Sequence, residues 1–244
     1  MKYKSVAKSL LVIIFLIAIL IAFFSYLSFS DSLRYRDTFI ENATNSELSA
    51  PGKTTVIIDA GHGGADPGAI ANGLIEKELN LAVAVQIKDF LCISGYDVIM
   101  TRNSDVLLGN GVDIGTHKNA DLRERLSYID RYDNCVFVSI HMNKFEASSA
   151  RGLQTFYSDN CDKSAVLAKS IQESSLMLDA NNKRSIKPDD NSIFILEHAY
   201  KPSVLVECGF LSNPIDAEKL SSEDYRNKLA FCIYNGITKY LGDL

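Results

Sequence analysis

Four side chains in this sequence could act together in a hydrolysis: His62, Glu76, His141 and Glu207. Two imidazoles and one carboxylate are a donor set that holds a zinc ion while leaving a fourth position for water, as catalytic sites require. Zinc lowers the pKa of such a water toward neutrality and polarises the carbonyl to be attacked. A second carboxylate must then take the proton and hand it to the leaving nitrogen, a task that needs a pKa raised toward the working pH. His62, Glu76 and His141 are therefore the candidate metal ligands, and Glu207 the candidate acid and base. Spacing alone leaves this open, because two histidines so far apart more often reflect packing or exposed surface.

The elements that must position these residues follow from the apolar pattern. Thr54 to Asp59 is a β-branched run that stops at Gly61-His62-Gly63-Gly64, the pattern of a buried strand entering a loop. Val136 to Ile140 is a second strand, ending at His141, and Ser203 to Val206 a third, ending at Glu207. Open α/β sheets build their sites where strands end and loops begin. Glu76 starts a helix in which Leu79, Val83, Ile87 and Leu91 keep helical spacing, while Lys77, Asn80, Lys88 and Asp89 mark the wet side and Gly95 the cap. Tyr96 to Thr101 reads as a strand, Asn103 to Asn119 as a glycine-containing loop, and Asp121 to Asp133 as a helix. Gly152 to Tyr157 is a further strand, and Ser164 to Leu178 and Asp224 to Leu241 are helices. Strands separated by helices predict an α/β fold, a largely parallel sheet flanked by helices on both faces, in one catalytic domain spanning 54–244.

Ahead of that domain, Lys2, Lys4 and Lys8 precede an uninterrupted apolar run from Leu10 to Phe24. Counted to Phe29, the stretch reaches about 20 residues, enough to cross a hydrocarbon core as a helix. The flanking charges place the N-terminus in the cytoplasm and the remainder outside. No A-x-A cleavage site follows, so residues 1–29 are expected to be an uncleaved membrane anchor rather than a signal peptide; either exports the rest. Residues 30–53 are polar and aperiodic, a linker. The net charge is -5 with no Lys/Arg cluster beyond the extreme N-terminus, which argues against a nucleic-acid partner. The five cysteines form no C-x-x-C pair and no evident disulfide framework.

Four motifs sharpen this reading. Val-Ile-Ile-Asp-Ala-Gly-His-Gly-Gly at 56–64, Glu-Lys-Glu-Leu-Asn-Leu at 76–81, Ser-Ile-His-Met-Asn at 139–143 and Leu-Val-Glu-Cys-Gly-Phe-Leu-Ser-Asn-Pro at 205–214 occur in that order. Together they resemble the signature of zinc-dependent N-acetylmuramoyl-L-alanine amidases over essentially the whole of 54–244. The resemblance implies that His62, Glu76 and His141 bind zinc, that Glu207 is catalytic, and that the substrate is peptidoglycan. The family's acid stands directly before a lysine, which selects Glu76 over Glu78; a first-turn acid such as Glu78 suits the helix dipole without any metal. A single-pass anchor, a short catalytic domain and no wall-binding repeat resemble the branch of spore-forming bacteria, in which the cut contributes to muramic-δ-lactam in the spore cortex. Autoinhibited relatives carry a helical insertion after the second histidine; here only Lys144 to Ala150 precedes the next strand, which implies no built-in plug.

The rest divides as follows. His117 and His198 match no ligand position and read as surface or packed histidines. Cys208 is turned away from Glu207 by strand alternation. Arg123 and Arg125 read as a solvated, salt-bridged helix face, with one of them a candidate for reaching an acidic stem peptide. Asn143 is expected on the side of His141, orienting metal or substrate. A zinc carboxypeptidase acting on wall peptides and a non-catalytic wall-binding protein are the alternatives, and an accessory protein that delivers substrate or steadies the metal fits either enzyme reading.

Overall fold

In the computed structural model, which describes residues 53–109 and 114–242, the first β-branched run forms strand β1, Thr55–Ala60, buried along its whole length. There follow a two-stranded hairpin, β2 (Ile70–Ala71) and β3 (Leu74–Ile75), then helix α1 (Glu76–Ile93) and strand β4 (Asp97–Met100). Next come α2 (Ile114–Asp130), β5 (Cys135–Asn143), β6 (Gln154–Tyr157) and α3 (Asp162–Ser174). The chain continues through β7 (Lys187–Pro188), α4 (Phe194–His198), β8 (Ser203–Phe210), α5 (Pro214–Ser221) and α6 (Glu223–Gly242).

The main sheet has the order β4-β1-β5-β8-β6-β7. β4, β1, β5 and β8 are parallel to one another, whereas β6 runs antiparallel to β8 and carries β7 parallel to itself. The sheet is thus largely parallel, with a reversed edge. In a strand, alternate residues face opposite sides. On one side Val56, Ile58, Val138, Ile140, Val204 and Val206 pack against Leu79 and Val83 of α1, Leu167 and Ile171 of α3, and Ile233 and Ile237 of α6. Each such side chain contributes roughly 1.5–3 kcal/mol when fully buried. The opposite side carries a smaller cluster in which Ile57 and Phe137 meet Ile129 of α2 and Ile195 of α4. Asp59, Ser139, His141 and Glu207 share the parity of that second side.

The structure alters several expectations. α2 begins at Ile114, inside the segment read as loop, and ends at Asp130. Leu122, Leu126 and Ile129 anchor it on the sheet, and a helix once nucleated extends cheaply into a weakly patterned stretch. The strand after β5 starts at Gln154, and the third helix runs from Asp162, with a 3-10 turn at Ser175–Met177. Asn80, read as part of the wet side of α1, is fully buried. The expected anchor at 1–29 and nearly all of the linker at 30–53 lie outside the described residues; among the described residues no helix is long and apolar enough to cross a membrane. Residues 144–153 pass from β5 to β6 without a helix.

Candidate metal and catalytic centre

β1 delivers the chain to the upper rim of the sheet, where Gly61 N–H donates to Ile140 O at 3.1 Å and draws the loop against β5. His62 has φ 61°, a left-handed conformation uncommon for a residue with a side chain. Its backbone is held from outside: Arg125 Nη2 donates to His62 O at 2.8 Å and Nη1 to Ala60 O at 2.8 Å. Arg102 donates to Ala60 O at 2.8 Å and Gly61 O at 2.9 Å, and Asn80 donates to Gly61 O at 3.0 Å. The carbonyls of three successive residues, from the end of β1 into the loop, are thereby satisfied.

The side chains converge on Glu76, the first residue of α1. Its Oε1 lies 3.2 Å from His62 Nε2 and 2.8 Å from His141 Nδ1, and accepts from Met142 N at 3.2 Å. Its Oε2 accepts from Ala69 N at 2.7 Å. His62 Nδ1 faces Asp66 Oδ2 at 2.8 Å, so His62 turns its Nε2 toward Glu76. Burial opposes charge on both groups, and the pairing outweighs it: Glu76 is held well below the usual carboxylate range by the two imidazoles, and His62 is raised to about 9 by Asp66 and Glu76. Glu76 is nearly enclosed, whereas His62 and His141 keep 20% and 19% of their side-chain surface exposed, which leaves them reachable from solvent.

Glu207 stands beside His141 in register across β5 and β8. Its Oε2 is buried and has no hydrogen-bond partner among the described residues. Burial pushes its carboxyl up to about 7, with the nearby imidazoles and Arg184 pulling the other way and Glu76 adding to the rise. A carboxyl at this value both accepts and returns protons near neutrality.

Beneath the loop lies a buried ionic network. Asp59 accepts from Arg125 Nη1 at 2.5 Å, Thr101 Oγ1 at 2.6 Å and Ser139 Oγ at 2.5 Å, and Asp121 accepts from Arg125 Nε at 2.7 Å. Burial works against the Asp59 charge, but Arg125 and the two hydroxyls hold its carboxyl below the ordinary range. This corrects the expectation for Arg125, which is a buried internal brace rather than a solvated residue; Arg123 is exposed. Glu78 points to solvent, and His198 stacks on Phe194 away from the site. His117 falls on α2 rather than in a loop. Cys208 packs into the first core, facing away from Glu207, and burial raises its thiol far up. Asn143 accepts from Leu211 N through its carbonyl at 2.7 Å. Asp66 and Arg102 were not singled out in the sequence, and Asn80 was read only as a solvated helix position; Asp66, four residues after His62 in the same loop, was the one with a readable signal.

The donor set suits a divalent cation. His62, Glu76 and His141 each offer a ligand atom within 4.8 Å of the others. Tetrahedral zinc with bonds of about 2.0–2.1 Å needs donors separated by about 3.3 Å, close to the 3.2 and 2.8 Å between Glu76 and the two imidazoles. An acidic partner on the far nitrogen of a ligand histidine, as Asp66 is to His62, is the usual support for such a site.

A protein-family model described as N-acetylmuramoyl-L-alanine amidase matches residues 56–239. The chain is 36% identical over 187 residues to the germination-specific N-acetylmuramoyl-L-alanine amidase of Bacillus subtilis, covering 76% of this chain and 78% of that protein. Among solved structures, it is similar to the CwlD amidase from Clostridioides difficile in complex with the GerS lipoprotein, with TM-score 0.75 and 40% identity over 79% of this chain and 100% of that one. It is also similar to the catalytic domain of CwlV, an N-acetylmuramoyl-L-alanine amidase from Bacillus (Paenibacillus) polymyxa var. colistinus, with TM-score 0.67 and 30% identity over 78% of this chain and 98% of that one.

Proposed function

The chain belongs to the N-acetylmuramoyl-L-alanine amidase family, and on that premise we propose that Glu207 is the acid and base of the hydrolysis, beside a zinc ion held by His62, Glu76 and His141. The bond cleaved is the amide between N-acetylmuramic acid and the L-alanine of a peptidoglycan stem. When bound, zinc supplies Lewis acidity toward the carbonyl and toward water. The protein's own part rests on one observation: a buried carboxyl oxygen, Glu207 Oε2, with no hydrogen-bond partner among the described residues and in register with a ligand histidine. Glu207 takes the proton of the attacking water at Oε2 and returns it to the departing nitrogen of L-alanine. Asp66 keeps the His62 ring oriented, and Arg125, with Arg102 on the two preceding carbonyls, holds the backbone in its strained left-handed conformation.

The likeness to a germination-specific amidase supports a role in the spore, in forming muramic-δ-lactam of the cortex. The relative solved with a lipoprotein supports an accessory protein for this chain as well. The apolar run at the N-terminus supports a single-pass membrane anchor with the catalytic domain outside the cytoplasm.

The test is to incubate the chain from Ser30 onward with purified peptidoglycan, with and without chelator, and to identify the fragments by mass spectrometry. Stem peptides beginning with L-alanine, lost on chelation and restored by zinc, are expected. Release of terminal residues only would make the protein a carboxypeptidase, and bound zinc with no product would point to a missing accessory protein or to a binding role.

A further inference from the structure

One cation beside the catalytic carboxyl has no part in the chemistry described so far. Arg184 lies in the segment leading to β7, and this segment is fastened to the start of β6: Asn182 Nδ2 donates to Leu153 O at 2.8 Å and Gln154 Nε2 to Ser185 O at 3.0 Å. The Arg184 guanidinium is fixed in turn. Its Nε donates to Arg151 O at 2.7 Å and its Nη1 to Gln154 Oε1 at 2.7 Å, and its Cζ lies 4.5 Å from the ring centroid of buried Phe210. Gln154 pairs with Glu207 across β6 and β8, and Arg184 is close enough to act electrostatically on that carboxyl. Yet among the described residues no carboxylate is paired with it, and its Nη2 has no partner. The group is half-buried, so Nη2 remains within reach of a ligand.

A guanidinium fixed through Nε and Nη1, set over an aromatic ring and left open at Nη2, is pre-organised to donate a charge-assisted hydrogen bond to a carboxylate. We propose that Arg184 is a specificity residue that binds a carboxylate of the stem peptide next to the scissile L-alanine. The inference rests on the amidase reading. Once the lactyl carboxyl of N-acetylmuramic acid is tied up in the scissile amide, the glycan carries no charge, so every anionic group of the substrate belongs to the peptide. Arg184 consequently sets the direction of binding: the peptide leaves Glu207 over the β6 and β7 edge, and the glycan lies toward β1 and β4.

The experiment uses the full-length chain and two N-acetylmuramoyl-L-alanyl peptides that differ only in whether the carboxyl of the second residue is free or amidated. A charge-assisted hydrogen bond predicts a preference for the free acid of roughly tenfold or more in kcat/KM. Arg184→Gln should bring that ratio to about one, and Arg184→Lys should restore part of it. A role in holding the loop or in tuning Glu207 would lower both substrates alike and leave the ratio intact, which would overturn the proposal, as would a wild type without preference. Calorimetric binding of the free and amidated L-alanyl dipeptides gives the same comparison without turnover. Failure to release L-alanyl peptide from either substrate would count against the amidase reading, while equal dipeptide binding would count against Arg184.

Discussion

Gly61→Ala is the substitution whose consequence the structure specifies most fully. A Cβ built on Gly61 would stand 2.2 Å from both Cε1 and Nε2 of His141 and 2.8 Å from Cδ2, where ordinary contact begins at 3.4 Å. The ring must therefore retreat by about 1.2 Å, or the strand end must open by as much. The His141 Nδ1 to Glu76 Oε1 separation, now 2.8 Å, would leave hydrogen-bond range. Metal sites tolerate errors of only about 0.2 Å in ligand position, and a 1 Å misplacement at a reacting centre costs on the order of 100-fold in rate, about 2.7 kcal/mol. The expected variant is folded, with zinc affinity and kcat/KM both down by roughly two orders of magnitude. Competition against a chromophoric chelator and release of L-alanyl peptide measure the two losses. Gly73→Ala is the control: nothing lies within 4 Å of its added Cβ, but φ is 74°, so it should lose about 1 kcal/mol of stability and keep its metal. A Gly61→Ala protein within twofold of wild type in both assays would refute the argument from ring position.

Zinc must displace the proton of His62, which pairing raises to about 9. Apparent affinity should therefore climb about tenfold per pH unit below that value and flatten above it, and Asp66→Asn should move the break downward and weaken high-pH binding by roughly 10–100-fold; chelator competition across pH would expose an unchanged Asp66→Asn profile. Glu207→Gln should retain zinc and lose turnover by about 10²–10⁴-fold, together with the rise of kcat/KM whose midpoint lies at or below about 7 once a cation is bound. In chelated protein the native Glu207 keeps its proton between 4.5 and about 7 while the unfolded chain has lost it, so stability should fall as pH rises through that window and fall less in Glu207→Gln, as melting curves would show. Arg125→Met leaves Asp59 charged and buried without its cation; the expected loss is about 3–5 kcal/mol, or roughly 6–20 °C in Tm, and a shift under about 2 °C would remove Arg125 from its bracing role.

The strands and the rim residues were legible because their physics is local. A β-branched run that halts at a glycine-rich loop needs no partner to be recognised, and alternation alone separates Glu207 from Cys208. The supporting residues were not legible for the opposite reason. Arg125 sits in Leu-Arg-Glu-Arg-Leu, whose pattern is that of an exposed helix face; its burial depends on Asp59, 66 positions earlier in the chain. Asn80 is a polar residue between Leu79 and Leu81 on α1, and the Gly61 carbonyl that gives its amide a partner inside the fold lies 19 positions earlier in the chain. The start of α2 escaped because glycine and polar residues mask a helix that tertiary contacts further along stabilise. The reversed edge of the sheet has no sequence signature, since a short alternating segment reads the same in either direction.

Asp59 joins segments that are distant in the chain: Thr101 lies 42 residues away, Arg125 66 and Ser139 80. Its neighbour Gly61 in turn donates across to β5. The turn bearing His62 therefore has no local route to its native conformation, and it forms only when β4, α2 and β5 have already closed around β1. Proteins commonly open their binding loops at a fraction of the total unfolding free energy. Here the amide of Gly61 should exchange with solvent as slowly as the slowest amides of the central strands, and a protease should find no cleavable loop at residues 59–62 in the folded population. Loss of the metal-binding turn and loss of the domain then become a single event in time, so the working lifetime of the site is set by the rate of global unfolding.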